Sequence, residues 1–182
     1  MKLPKVLCIL LCLILSITLV SCDKEDKIME NYPQLTDKKH IIKELTPKEV
    51  IDKVLNEETF ILVLGFPTCP WCQALLPEVN SVGKELKIKT IYYCDIKDCR
   101  DNENSADKEY YLQMREHFSD CIDSQKDRIN APTTLKIKDG QLVSYHVDTV
   151  SSHMINEAGI LPTLTSEQID ELHEILKELF NK

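Results

Sequence analysis

The sequence predicts an α/β fold, a central mixed β-sheet flanked by helices. Three observations carry that expectation. Residues 60–64 form an apolar run without alternation, as a strand covered on both faces does. Residues 50–55, 75–86 and 169–179 hold apolar side chains at helical spacing. Residues 135–147 read as two strands joined by the turn Lys138-Asp139-Gly140-Gln141, a hairpin that adds an antiparallel part to the sheet.

In chain order, residues 1–21 read as a secretory leader, in which Lys2 and Lys5 precede the apolar run 6–20. That run is shorter than the ~20 residues a membrane-spanning helix needs. Leu19-Val20-Ser21-Cys22 resembles the bacterial lipobox. The resemblance implies cleavage before Cys22, a lipid on that cysteine, and a chain held in the bacterial envelope on the outer, periplasmic side of the cytoplasmic membrane. Residues 22–39 are charged and broken by Pro33, so a flexible tether is expected there, with the folded domain over 40–182.

Residues 40–45 suit a short edge strand. Thr46 is placed to cap the next helix, with Pro47 in its first turn and Glu49 closing a capping box; Val50, Ile51, Val54 and Leu55 supply its apolar face. After the strand at 60–64, Gly65-Phe66-Pro67-Thr68 turns the chain into Cys69-Pro70-Trp71-Cys72. Leu75, Leu76, Val79, Val82 and Leu86 continue as a helical stripe, with Pro77 inside it as a source of bending. A second central strand is expected over 87–93. The polar stretch that follows carries Tyr111, Met114, Phe118, Cys121 and Ile122 on one stripe, a helical insertion around residues 100–128. Asn130-Ala131-Pro132-Thr133-Thr134 leads into the hairpin. Thr165 and Gln168 then open a closing helix whose buried stripe is Ile169, Leu172, Ile175, Leu176 and Leu179.

The 182 residues are 43% hydrophobic with only four glycines, which suits one globular domain with a modest extension. The net charge of −8 argues against nucleic acid as a partner. Eight cysteines are many for a reducing cytosol.

Cys69-Pro70-Trp71-Cys72 carries the chemistry. A cysteine at a helix start faces the positive end of the helix dipole and unpaired backbone N–H groups, and both favour its thiolate. A thiolate is the nucleophile of thiol–disulfide exchange, and a second thiol one turn on can resolve the mixed disulfide. Pro70 suits an opening turn, and Trp71 offers an aromatic surface beside the sulfur. The same spacing occurs in zinc sites and in structural disulfides, and those readings stay open. Structural zinc, however, needs a second pair at similar spacing, and the sequence has none.

The apolar strand, Cys69-Pro70-Trp71-Cys72 at a helix start, Pro77 five residues past the second cysteine, and Ala131-Pro132-Thr133 before a hairpin together resemble the thioredoxin-like proteins. Among them the chain is similar to bacterial membrane-anchored thioredoxin-like lipoproteins, and more weakly to the thioredoxin-like accessory proteins of bacteriocin export. The resemblance covers residues 40–182. It implies that Cys69 attacks, that Cys72 resolves, and that Pro132 is cis and lies against the dithiol. With Trp71, Ala131 and Pro132 would then receive substrate. It implies an extracytoplasmic thiol–disulfide oxidoreductase, with no cofactor beyond its dithiol, that acts on cysteines of exported proteins and exchanges electrons with a membrane or envelope partner, more in the manner of a reductase. An oxidase or isomerase of the same fold, a copper chaperone using Cys69 and Cys72 with His146 or His153, and a non-catalytic exporter subunit are the alternatives.

Two departures stand out. The family places a buried Asp six residues before the first cysteine, and this chain has Val63; proline directly after the first cysteine and an aromatic next is closer to the glutaredoxin pattern. Glu57, Glu58 and Lys84 are conceivable stand-ins for the missing acid. Among the spare cysteines, a Cys99–Cys121 disulfide would close a loop worth up to ~3 kcal/mol. Cys94 reads as a small buried hydrophobe, as a partner for Cys99, or as a thiol that shuttles oxidation away from the motif.

Overall fold

The computed structural model describes residues 27–182. The leader and Cys22 lie outside the described residues. Five strands form one sheet in the order β1-β3-β2-β6-β7, built from Ile42–Glu44 (β1), Phe60–Gly65 (β2), Ile91–Asp95 (β3), Thr133–Lys138 (β6) and Gln141–Val147 (β7). β1, β3 and β2 run parallel; β6 is antiparallel to β2, and β7 to β6. The sheet is therefore mixed, with β2 at its centre, and the fold is thioredoxin-like.

Both faces of β2 are covered, which explains its unbroken apolar run. Ile61 and Val63 face a core shared with α3 (Pro70–Glu85) and α6 (Ser166–Phe180). Phe60, Leu62 and Leu64 face the opposite core, under α2 (Pro47–Leu55) and α5 (Lys108–His117). β3 obeys the same two-residue period, with Ile91 and Tyr93 on the first face and Cys94 on the second.

Thr46 caps α2 and Thr165 caps α6, each in a complete capping box. Leu55, expected on the apolar face of α2, is exposed instead. Helix α3 runs through Pro77 without a break. The second central strand starts later than expected, because Ile88 N–H closes back on Gly83 O and Lys87 takes a left-handed φ of 59°. Residues 86–90 thus end the helix. The insertion is not one helix. It comprises α4 (Lys97–Asp101), α5, a 3-10 turn at Ser119–Cys121 and a small hairpin of β4 (Ile122–Asp123) and β5 (Arg128–Ile129).

Residues 27–39, expected within the tether, pack on the domain. A short helix, α1 (Lys27–Asn31), leads into Tyr32 and Leu35, and Ile28, Tyr32 and Leu35 are all buried in the first core. The sequence concealed this because three apolar residues spaced four and three apart in a charged segment look solvated. No helix among the described residues is long and apolar enough to cross a membrane.

Candidate active site

Strand β2 ends at Gly65, and the turn that follows delivers Cys69 to the N-terminus of α3 as its capping residue. Its backbone is extended, φ −89° and ψ 118°, as a capping residue requires. Its side chain makes no capping hydrogen bond. The neighbouring Cys72 thiol first, and then the backbone amides of Cys72 and Trp71, lower the Cys69 pKa to about 7, against burial and the Asp148 carboxylate, which oppose. The hydrogen bond to Cys69, burial, and the neighbouring Cys69 charge all raise the Cys72 thiol. The two thiols are thus driven in opposite directions.

As a thiol, Cys69 donates to the carbonyl of Ala131 at 3.3 Å. The Ala131–Pro132 peptide is cis. The carbonyl of Ala131 and the cis bond to Pro132 therefore lie beside Cys69, with Trp71 two residues further along the chain. Cys69 is 6% exposed and Cys72 2%. Cys72 sits under Gly65, where a Cβ would stand 3.0 Å from its sulfur.

Trp71 is held from the far side. Its indole Nε1–H donates to His153 O at 3.2 Å. The His153 ring is buried, with Nδ1 2.8 Å from Thr149 Oγ1 and Nε2 2.8 Å from Pro162 O. A carbonyl only accepts, so Nε2 carries a proton. His153 thus fixes loop 149–162, which with Trp71, Val147 and Asp148 lines a groove of about 480 Å³ whose Met154 and Ile155 are exposed. Both His153 ring nitrogens are engaged, and His146 Nε2 bonds Thr149 O, so neither imidazole nitrogen bonded here is free for a metal. Among the described residues no group of three or more His, Cys, Asp or Glu is placed to hold a metal ion.

The expected acid–base stand-ins lie elsewhere. Glu58 pairs with Lys53 at 2.8 Å, Lys84 pairs with Asp37, and Glu57 is exposed on a left-handed turn. The acid whose charge is felt at both thiols is Asp148, just past the end of β7. Burial raises its pKa, its charge opposes both thiolates, and its N–H donates to Pro132 O at 2.9 Å. No sequence motif marks it, since it is brought to the dithiol only by the β6–β7 pairing. Arg100, from the insertion, lies 5.0 Å over the Phe66 ring, and the Cys69 charge raises its pKa after the larger effect of Asp101.

The expected Cys99–Cys121 disulfide is not formed. All five described cysteines are free thiols. Cys99 donates to Ile96 O at 3.4 Å and Cys121 to Phe118 O at 3.1 Å, so each thiol turns back on its own helical turn. Cys94 is a buried hydrophobe of the same core, and burial raises its pKa well above an ordinary thiol's.

No family model matches the chain. No curated protein matches it either. Solved structures similar to it are thioredoxins. One is thioredoxin NaTrxh from Nicotiana alata, 10% identical, with 80% of this chain and 97% of that chain covered and a TM-score of 0.45. Another is thioredoxin O2 from Arabidopsis thaliana in the oxidised state, 11% identical over 78% of this chain and 96% of that one, TM-score 0.44. Thioredoxin from Fasciola hepatica is 17% identical over 58% and 86%, TM-score 0.36. The site is a C-x-x-C dithiol at a helix N-terminus, facing a cis-proline on a thioredoxin-like sheet.

Proposed function

We propose that the protein is an extracytoplasmic thiol–disulfide oxidoreductase that reduces disulfides of exported proteins. The observation that carries this reading is the asymmetry of the pair: Cys69 is pulled towards thiolate by Cys72 and two backbone N–H groups, while Cys72 is pushed the other way. In turnover the Cys69 thiolate attacks a substrate disulfide and expels one substrate thiolate. Cys72 then gives up its proton and attacks Cys69 Sγ, the mixed disulfide breaks, and the second substrate thiol leaves. Two electrons pass to the substrate, and an envelope electron donor restores the dithiol.

Reduction is favoured because the Cys69 pKa is lowered only to about 7. A strong oxidant needs a reduced form far more deeply stabilised as thiolate, with an attacking thiol pKa of ~3.5. The groove lined by Trp71 and rimmed by the exposed Met154 and Ile155 suits an extended segment with an apolar residue near its cysteine. Lipid attachment at Cys22 would keep this face free to meet substrates outside the cytoplasmic membrane.

Dithiothreitol-driven reduction of a disulfide-bonded peptide tests the activity. Cys69→Ser should abolish it, and Cys72→Ser should trap a peptide–Cys69 mixed disulfide. Full activity in Cys69→Ser would refute Cys69 as the attacking thiol, and no activity in the unaltered chain would refute an enzymatic role and favour an accessory subunit. Incorporation of labelled palmitate into the full chain, lost in Cys22→Ser, tests the anchor; equal labelling of both would contradict it.

A further inference from the structure

The exchange chemistry leaves unexplained two buried phenols behind the dithiol. Val63 occupies the position where the resemblance expects an acid, and its partner across the parallel register is Tyr93 of β3. Tyr32, from the N-terminal segment, donates its hydroxyl to that of Tyr93 at 2.9 Å. The rings meet edge to face with centroids 5.4 Å apart, and the residues are 1% and 3% exposed. A Cβ on Gly65 would meet Cys72 Sγ at 3.0 Å and Tyr93 Cε2 at 3.5 Å. The resolving sulfur and the edge of the Tyr93 ring thus border the one space that glycine leaves open.

The segment bearing Tyr32 is fastened to the helix that bears the dithiol. Gln73 Nε2, one residue past Cys72, donates to Asn31 O at 2.8 Å and to Pro67 O at 2.7 Å. Further along α3, Lys84 pairs with Asp37 and Asn80 Nδ2 donates to the same carboxylate at 3.3 Å.

We infer that the N-terminal arm, residues 27–37, is a working part of the redox centre: Tyr32, acting through Tyr93, seals the buried face of Cys72 and holds its thiol dry and aimed at Cys69. The two tyrosines are positioning residues. Burial pushes both phenols well above their ordinary pKa, so they keep their protons and do not serve as the base for Cys72. An uncharged, water-free backing disfavours a free Cys72 thiolate, and this leaves Cys69 as the nucleophile for outside disulfides. The consequence for turnover rests on the exchange reaction proposed above; the sealing of Cys72 does not.

The test is alkylation of Cys72 by iodoacetamide in the full chain carrying Cys69→Ser, followed across pH by peptide mass mapping. Cys94 and Cys121, in the core on the other face of the sheet, are internal controls for general loosening. Adding Tyr32→Ala should speed Cys72 alkylation by about tenfold or more and move its midpoint to lower pH, since one pKa unit is a tenfold change in thiolate. Adding Tyr32→Phe, which keeps the ring, should raise it by about threefold through loss of the hydroxyl contact. Cys94 and Cys121 should not change in the phenylalanine variant. If Cys72 in Tyr32→Phe changes no more than Cys94 and Cys121, the inference is overturned, whatever becomes of the alanine variant's fold. No disulfide substrate enters the assay, so a failure of the proposed activity is separately visible.

Discussion

Cys69 and Cys72 are the same residue type three positions apart, and their surroundings drive them in opposite directions. The N-terminus of α3 and the Cys72 thiol stabilise charge on Cys69; desolvation and that same contact deny it to Cys72. Alkylation of Cys69 in the dithiol form should therefore rise with pH through a midpoint below the ordinary thiol value of about 8.5, with Cys72 silent over that range. A midpoint at or above 8.5 would contradict the assignment of roles. The cysteine pair at the start of α3 and the proline at 132 were legible, because two short motifs carry them. Asp148, Tyr93 and Tyr32 were not, since each reaches the dithiol only through strand register or through the docking of a segment with a charged, tether-like composition.

At the scale of elements, local chemistry wrote the helix starts plainly. Both capping boxes are present as the sequence spelled them, at Thr46 with Glu49 and at Thr165 with Gln168. Thr165→Ala should cost about 1 kcal/mol in denaturant unfolding, as loss of a capping oxygen does; an unchanged midpoint would deny the cap that role. The irregular elements were less legible. Loop 149–162 has no periodicity, and one buried imidazole, bonded at both ring nitrogens, ties its start to its end. His153→Ala should cost about 1–3 kcal/mol by stranding Thr149 and Pro162 O. It should also shift Trp71 emission to longer wavelength and raise KM for an apolar peptide disulfide. Trp71 is the only tryptophan in the chain, so its fluorescence reads the loop directly. Unaltered emission would show that His153 does not hold it.

The whole molecule is a sheet with two separate cores, and the division has a functional meaning. The dithiol, the active-site helix and the N-terminal arm share one core, while Cys94, Cys99 and Cys121 lie in the other. β2 separates Cys69 and Cys72 from these three cysteines, whose burial raises their pKa values. The layered plan was legible from the unbroken apolar run at 60–64, a pattern that only a two-sided environment requires. The arm was lost to composition: its three buried side chains find their apolar environment among residues distant in sequence.

The most direct test of the central claim is the reduction potential of the Cys69–Cys72 pair, measured by equilibration with glutathione or dithiothreitol buffers and mass spectrometry. The account predicts a reversible two-electron couple near or below about −270 mV, the region of thioredoxin. A value close to about −120 mV would make the protein an oxidant instead, and a pair that does not titrate reversibly would contradict the oxidoreductase reading altogether.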